Sequence, residues 1–198
     1  MGAHHRPHAG GLPRGAAADA SGHGRCAGVS EGPSEVVRSY LESQELDYTE
    51  VAPGVFTFGL PGEKKLQTPV RLDIGPHSMS IHAFVCRNPD EQHERVYRWL
   101  LERNLKLFGV SFAVDRLGDI YLDGRLPLSV VTHDELDRLL GVVLATSDDS
   151  FNAILELGFE GSIRKEWEWR KLRGESTRNL EAFRGWLESG DAPPAPER

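Results

Sequence analysis

The chain has 198 residues, a formal net charge of -7 and 39% hydrophobic residues. This length is typical of one domain, and the acidic balance disfavours a nucleic-acid partner. The sequence contains neither an apolar run long enough to cross a bilayer nor the apolar segment of a secretory signal peptide. Its two cysteines, Cys26 and Cys86, give no disulfide framework and no zinc pattern. We therefore expect a cytoplasmic protein that binds neither nucleic acid nor a membrane.

The two ends of the chain differ in composition from its middle. Residues 1–32 are rich in Gly, Ala and His, with too few large apolar side chains to offset the entropy cost of ordering. Residues 189–198 are rich in proline. We predict a disordered tail at each end and a single domain over residues 33–188.

The first part of this domain has a helix pattern followed by strand patterns. Ser34 is the predicted N-cap of a short amphipathic helix. Alternating apolar residues then give strand patterns, which cover 48–51, 55–58, 66–74 and 79–85. From them we predict a three-stranded antiparallel meander. Pro69 cannot donate a hydrogen bond, so its strand is expected at a sheet edge or with a locally unpaired group.

The strongest local signals lie in the next stretch, a helix followed by a hairpin. Asn88 has the character of an N-cap, with Pro89 at the first helical position and Glu91 completing a capping box. Gly109 ends the predicted helix. Alternation over residues 110–126 then predicts a β-hairpin.

Helix patterns occupy the remainder of the domain. Thr132 and Glu135 form a second capping box before a long apolar stripe, and Asp148 is the predicted N-cap of a further helix. Residues 162–172 and 176–187 give the last two helical segments. A meander, a helix, a hairpin and C-terminal helices define an α+β fold with an antiparallel sheet.

Several of these segments together resemble a known family. They are NPDEQHERVYRWLLERN, FAVDRLGDIYLDGRLPL, FNAILELGF and RKEWEWRKLRGESTRNLEAF. Over roughly Pro33 to Leu187 the chain resembles bacterial proteins with a YbjN domain, which are proposed to be sensory transduction regulators. The resemblance implies a fold like that of the type III secretion chaperones, which usually dimerise. It carries no catalytic signature.

Catalytic and metal patterns are weak. Cys86 has three histidines at moderate sequence distance, His77, His82 and His93, but no known nucleophile signature surrounds it. The same histidines lack the spacing of a zinc site. We predict that Cys86 is an ordinary residue at a strand end, and that His82 and His93 are surface residues.

Three aspartates repeat around the hairpin turn without forming a calcium loop. Asp115, Asp119 and Asp123 lack the ligand spacing and glycine of that motif, so we assign them to turn chemistry. Glycine-rich phosphate loops are missing as well. The sequence therefore predicts no cofactor, no metal and no catalytic residue.

The residues that remain as functional candidates are apolar and lie on helices. Trp167 and Trp169, two positions apart, must point to roughly opposite sides of their helix, so one is a candidate anchor for a protein partner. Tyr97, Trp99 and Leu101 make an apolar stripe wider than one sheet needs to cover. Core packing alone explains both features equally well.

Our first hypothesis is a non-enzymatic, protein-binding regulator of the chaperone-like YbjN type. It would form a homodimer, bind a second and unidentified protein, and act in stress or signalling regulation. The alternative is a small-ligand sensor or an uncharacterised enzyme with a pocket between the sheet and the helices after Thr132. A nucleic-acid regulator is the third possibility.

Overall fold

The computed structural model describes residues 32–195. The predicted tail over residues 1–32 therefore lies outside the described residues except for its last position, and so do residues 196–198. The helices are α1 (Pro33–Ser43), α2 (His93–Asn104), α3 (His133–Gly158), α4 (Glu160–Arg173) and α5 (Arg184–Ser189). The strands are β1 (Tyr48–Ala52), β2 (Val55–Pro61), β3 (Gln67–Ile74), β4 (Ser78–Cys86), β5 (Val110–Val114) and β6 (Ile120–Pro127). Two short 3-10 helices cover Leu128–Val130 and Arg178–Phe183.

The six strands form one antiparallel sheet in the order β1-β2-β3-β4-β6-β5. Helix α2 connects β4 to β5, and the β5–β6 hairpin then joins the sheet beside β4. This arrangement confirms the predicted α+β class and antiparallel sheet. The meander has four strands, one more than predicted, because a turn at Gly54 with φ of +74° lets β1 pair with β2.

One face of the sheet carries the core. Apolar side chains at alternate positions of the strands point to this face, as their period of two requires. Helix α3 packs against it and also contacts α1 and α2. The fully buried strand side chains of the core include Phe56, Leu72, Met79, Ile81, Ile120 and Leu122.

The predicted start of α2 at Asn88 is wrong, because the helix begins at His93. The polar groups just before it bind other parts of the fold. The Asn88 N–H donates to Asp119 at 2.8 Å. The Glu91 N–H donates to the Gly158 carbonyl at 3.1 Å. Its carboxylate accepts from the Gly161 N–H at 2.6 Å, so the acid of the predicted capping box satisfies the first turn of α4.

The predicted helix start at Asp148 is also wrong, since α3 continues unbroken from His133 to Gly158. The Asp148 carboxylate accepts hydrogen bonds from the N–H groups of Lys64 and Lys65, at 2.8 and 2.9 Å. It therefore caps the loop between β2 and β3. The predicted cap at Thr132 is confirmed, because its hydroxyl accepts from the Glu135 N–H at 3.2 Å.

Candidate functional site

The β3–β4 ladder ends at an opening beside Pro69. Its last pair is Val70 with Ala83, and the same register continued by one residue would place Pro69 opposite Phe84. Proline has no N–H to donate at that point. Strand β3 is interior to the sheet, so of the two predictions for Pro69 the local loss of pairing is the one observed. The Phe84 carbonyl accepts a hydrogen bond from the ammonium of Lys65 instead.

An apolar cavity of about 500 Å³ lies at this opening. It is bounded by the end of β4, the second half of α3 and the start of α4. The residues that line it are Lys65, Phe84, Val85, Cys86, Arg87, Phe151, Leu155, Phe159, Ser162, Ile163, Glu166 and Leu180. A cavity of this size is typical of small-molecule sites. Its place between the sheet and the helices after Thr132 is the one that our alternative hypothesis specified.

Lys65 is the charged side chain that lies deepest in this lining, with 8% of the residue exposed. Its Nζ is 5.2 Å from the ring centre of Phe84 and 5.9 Å from that of Phe151. Burial lowers the pKa of Lys65 to about 8. Within residues 32–195 no carboxylate forms an ion pair with this ammonium, so a buried positive charge is balanced by a carbonyl and two ring faces.

The thiol of Cys86 also faces the cavity, but it is not activated. Burial raises the pKa of Cys86 to about 11, which keeps the thiol protonated and unreactive at neutral pH. The three candidate histidines are absent from the lining. His82 Nδ1 lies 2.6 Å from Asp123 Oδ1 across the β4–β6 ladder, and His93 Nε2 lies 3.2 Å from Asn88 Oδ1. The structure therefore brings none of these three histidines to Cys86 in the cavity.

The other polar side chains of the lining already have partners. Arg87 forms an ion pair with Asp90 at 2.6 Å, and Ser162 donates to the same carboxylate at 2.7 Å. Arg87 and Ser162 together lower the pKa of Asp90 to about 2. Glu166 accepts from Arg170 at 2.5 Å. Among the charged residues of the described lining, Lys65 is thus the one without an ion pair.

Of the three aspartates assigned to turn chemistry, only Asp115 has that role in its side chain. The Asp119 carboxylate accepts from the Asn88 N–H, and Asp123 lies within β6 beside His82. Asp115 Oδ1 accepts from the N–H groups of Leu117 and Asp119, at 2.8 and 2.9 Å, and so closes the β5–β6 turn. Among the described residues, no group of three or more His, Cys, Asp or Glu side chains is arranged to hold a metal ion.

A second candidate surface is the outer side of α2. Leu101 and Leu105 are 65% and 87% exposed, and Tyr97 is half-buried beside them. These three side chains line a shallow groove with Glu94, Arg98 and Glu102. Trp99 belongs to the core, where its ring packs against Phe112. We define the α2 groove as these six residues: Glu94, Tyr97, Arg98, Leu101, Glu102 and Leu105.

The two tryptophans of α4 separate as their spacing predicts. Trp167 is 7% exposed and belongs to the core. Trp169 is 43% exposed, with the Arg173 guanidinium 4.7 Å from its ring centre. The sequence alone did not identify the exposed Leu105 and Phe108, which lie just before Gly109, because an apolar residue at a helix end has no local signal of its exposure.

The fold places this chain in the α+β class of proteins, with a six-stranded antiparallel sheet and helices packed on one face. The sequence profile of the YbjN family, described as "Putative bacterial sensory transduction regulator", matches residues 33–156. The chain belongs to this family, which confirms the resemblance seen in the sequence. No helix within residues 32–195 is both long and apolar enough to cross a membrane.

Two mycobacterial relatives cover most of the chain. The uncharacterized protein Rv0487 of Mycobacterium tuberculosis (strain H37Rv) is 50% identical over 153 residues, which cover 75% of this chain and 84% of that protein. The uncharacterized protein ML2442 of Mycobacterium leprae is 52% identical over 153 residues, which cover 75% of this chain and 83% of that protein.

Two solved structures are similar in outline. One chain is from the heterodimeric ExoU–SpcU complex of the Pseudomonas aeruginosa type III secretion system. It is 16% identical with a TM-score of 0.46, and the match covers 62% of this chain and 97% of that one. Another is from the HopA1–SchA chaperone–effector complex. It is 13% identical with a TM-score of 0.43, and the match covers 57% and 87% of the two chains. At these values the likeness does not extend to partners.

Proposed function

We propose that this YbjN-family protein is a non-enzymatic, cytoplasmic regulator that works by binding protein, and that it pairs with a second copy of itself through the α2 groove. The family description supports a regulatory role. Cys86 is buried and protonated, and none of the histidines within residues 32–195 lines the cavity with it, which supports a role without catalysis. The exposed apolar residues of α2 are the observation on which the pairing rests.

These apolar residues are not needed for the core of the monomer. Val96, Trp99 and Leu100 already fill the side of α2 that faces the sheet and α3. Leu101 and Leu105 protrude from the opposite side, one helical turn apart. Contiguous exposed apolar side chains bordered by charged ones are typical of an interaction surface.

The charges of the groove favour a second copy as the occupant. Glu94, Arg98 and Glu102 follow one another at intervals of four residues, so one basic side chain lies between two acidic ones on the same side of the helix. In a two-fold, antiparallel pair of α2 helices, Arg98 of each copy can approach an acidic residue of the other. Its present contact with Glu94 is 3.8 Å long and exposed, so exchanging it costs little.

Size-exclusion chromatography with light scattering tests this pairing. We expect the wild-type protein to be a dimer and the double variant Leu101→Glu/Leu105→Glu to be a monomer, because four glutamates would meet across the interface. Leu117→Glu is the matched control, since Leu117 is an equally exposed leucine at the tip of the β5–β6 hairpin. A wild-type protein that remains monomeric at high concentration, or a double variant that remains dimeric, would refute the proposed pairing.

A further inference from the structure

We propose that the cavity beside Pro69 is a binding site for a fatty acid, whose carboxylate pairs with Lys65 and whose alkyl chain lies along Phe151, Leu155 and Ile163. This site goes beyond the proposed function and does not depend on self-association. It rests on the shape and lining of the cavity, on the unmatched charge of Lys65 and on the pairing of the other polar groups.

The lining suits an alkyl chain. Three phenylalanine rings and four aliphatic side chains form most of its wall: Phe84, Phe151, Phe159, Val85, Leu155, Ile163 and Leu180. An alkyl chain that enters this space leaves water, and burial of each methylene group favours binding. The cavity volume of about 500 Å³ lies in the ordinary range for small ligands.

Lys65 specifies the charge of the ligand. A buried ammonium without an opposite charge is unfavourable, and a carboxylate provides that charge together with a strong hydrogen-bond acceptor. The Phe84 carbonyl accepts one of the three ammonium protons. The lowered pKa of Lys65 has the same origin, because burial disfavours the charged form in the absence of an anion.

The fold holds this lysine in place before any ligand binds. Asp148 fixes the backbone N–H groups of Lys64 and Lys65. The buried hydroxyls of Thr68 and Ser147 are 2.9 Å apart, which joins the start of β3 to the same part of α3. A group positioned in this way loses little conformational freedom on binding, so its interaction with a ligand is stronger.

The remaining lining favours a fatty acid over a peptide. A peptide brings an N–H and a carbonyl for almost every residue, and each buried one needs a partner. In the described part of the lining, Arg87, Ser162 and Glu166 are engaged by Asp90 and Arg170. A fatty acid has one polar group, and of the two cations in the described lining only Lys65 has no ion pair.

Isothermal titration calorimetry on the full-length chain tests this site, with decanoate below its micelle concentration and decanol as an uncharged match. We expect decanoate to bind wild-type protein at least about tenfold more tightly than decanol, as an interaction with a charged group predicts. Lys65→Met should weaken decanoate by at least about tenfold and leave decanol unchanged. Lys64→Met is the control, because Lys64 is the exposed neighbour that pairs with Asp149, and it should bind decanoate like the wild type.

Leu155→Trp, which fills the cavity, should abolish binding of both ligands while circular dichroism shows an intact fold. Absence of decanoate binding to the wild type would overturn the proposal. Equal affinities of decanoate and decanol would overturn it as well, as would unchanged decanoate binding in Lys65→Met or in Leu155→Trp. Tighter binding of an apolar peptide with a free C-terminus would show that the site recognises a protein instead. The monomeric double variant Leu101→Glu/Leu105→Glu should bind decanoate like the wild type, which separates this site from the proposed pairing.

Discussion

The ammonium of Lys65 donates to the backbone carbonyl of Phe84, at the point where Pro69 ends the β3–β4 ladder. A side chain thus meets a strand carbonyl where the register would otherwise call for a backbone N–H. The Lys65 ammonium takes the place of that N–H and completes the hydrogen bonding of the Phe84 carbonyl. Because the ammonium is a cation beside apolar side chains, the same hydrogen bond also places a charge without an ion pair in the cavity.

The first prediction concerns the pH dependence of stability. Lys65 has a folded pKa of about 8 and an ordinary pKa of 10.5. Between these values the unfolded chain holds the proton and the folded chain does not, so the Lys65 contribution to the free energy of unfolding rises with pH. It is fully present above about 10.5 and is lost as the pH falls through about 8. The rise is at most roughly 3.5 kcal/mol, since one pKa unit corresponds to about 1.4 kcal/mol.

Urea unfolding of wild type and Lys65→Met at pH 7.5 and pH 10 measures this contribution. The wild-type value minus the variant value should increase with pH. Cys86 has the opposite effect, because its folded pKa is raised to about 11 and the unfolded thiolate gains from high pH. That effect is present in both proteins. The Lys65 charge lowers the Cys86 pKa, so its removal strengthens the Cys86 effect in the variant, and the difference changes in the same direction. A difference between wild type and variant that stays constant with pH would contradict the lowered pKa of Lys65.

The second prediction concerns the cap of the β2–β3 loop. Asp148→Ala removes the acceptor of the Lys64 and Lys65 N–H groups, so we expect a loss of about 1–3 kcal/mol in the free energy of unfolding. Asp149→Ala is a close control, because it removes only an exposed pair with Lys64 and should cost less than about 1 kcal/mol. Urea denaturation of both variants measures these losses in the free energy of unfolding. Equal losses would show that the Asp148 cap contributes no more than the exposed pair of Asp149 with Lys64.

The third prediction concerns Glu91, which lies before α2 but caps α4. Glu91→Ala should lower the free energy of unfolding by about 1 kcal/mol, because the Gly161 N–H loses its acceptor and the first turn of α4 loses a nearby negative charge. Glu91→Gln keeps an acceptor oxygen and should fall between the alanine variant and wild type. Glu168→Ala is the comparison, since Glu168 is an exposed residue of α4 outside the α2 groove. A larger loss in Glu168→Ala than in Glu91→Ala would contradict this assignment.

The fourth prediction separates the two tryptophans of α4. Trp167→Ala should destabilise the protein by about 3–5 kcal/mol, as expected for removing a buried aromatic ring. Trp169→Ala should cost only about 1 kcal/mol or less, because the exposed ring loses mainly its contact with Arg173. Thermal or urea unfolding distinguishes the two variants.

We also predict that a pull-down with Trp169→Ala recovers fewer partner proteins than a pull-down with wild type. Unchanged recovery would rule out Trp169 as an anchor for a protein partner.

The parts of the fold that the sequence predicted are those that depend on neighbouring residues. The period-two alternation along β3 and β4 assigns one side of each strand to the core. The cap at Thr132 needs only an acceptor and an N–H three residues later. The separation of Trp167 and Trp169 follows from the angle between successive helical positions. Each of these is decided within a few residues, so the chain itself contains the information.

Tertiary structure decided the role of each polar group whose partner is distant in the chain. Glu91 binds a backbone group 70 positions away, and Asp148 binds two groups at distances of 84 and 83 positions. Both resemble helix caps when read locally, because Asp and Glu near helix starts usually have that role.

Tertiary structure also decided which residues of the candidate surfaces are exposed. A stripe on α2 shows which residues are apolar, but the sheet and α3 determine that Trp99 is covered and Leu101 is not. Nothing near Lys65 in the sequence distinguishes it from Lys64. Its burial depends on the missing N–H of Pro69 and on two aromatic rings from β4 and α3, which meet only when the sheet and α3 have packed together.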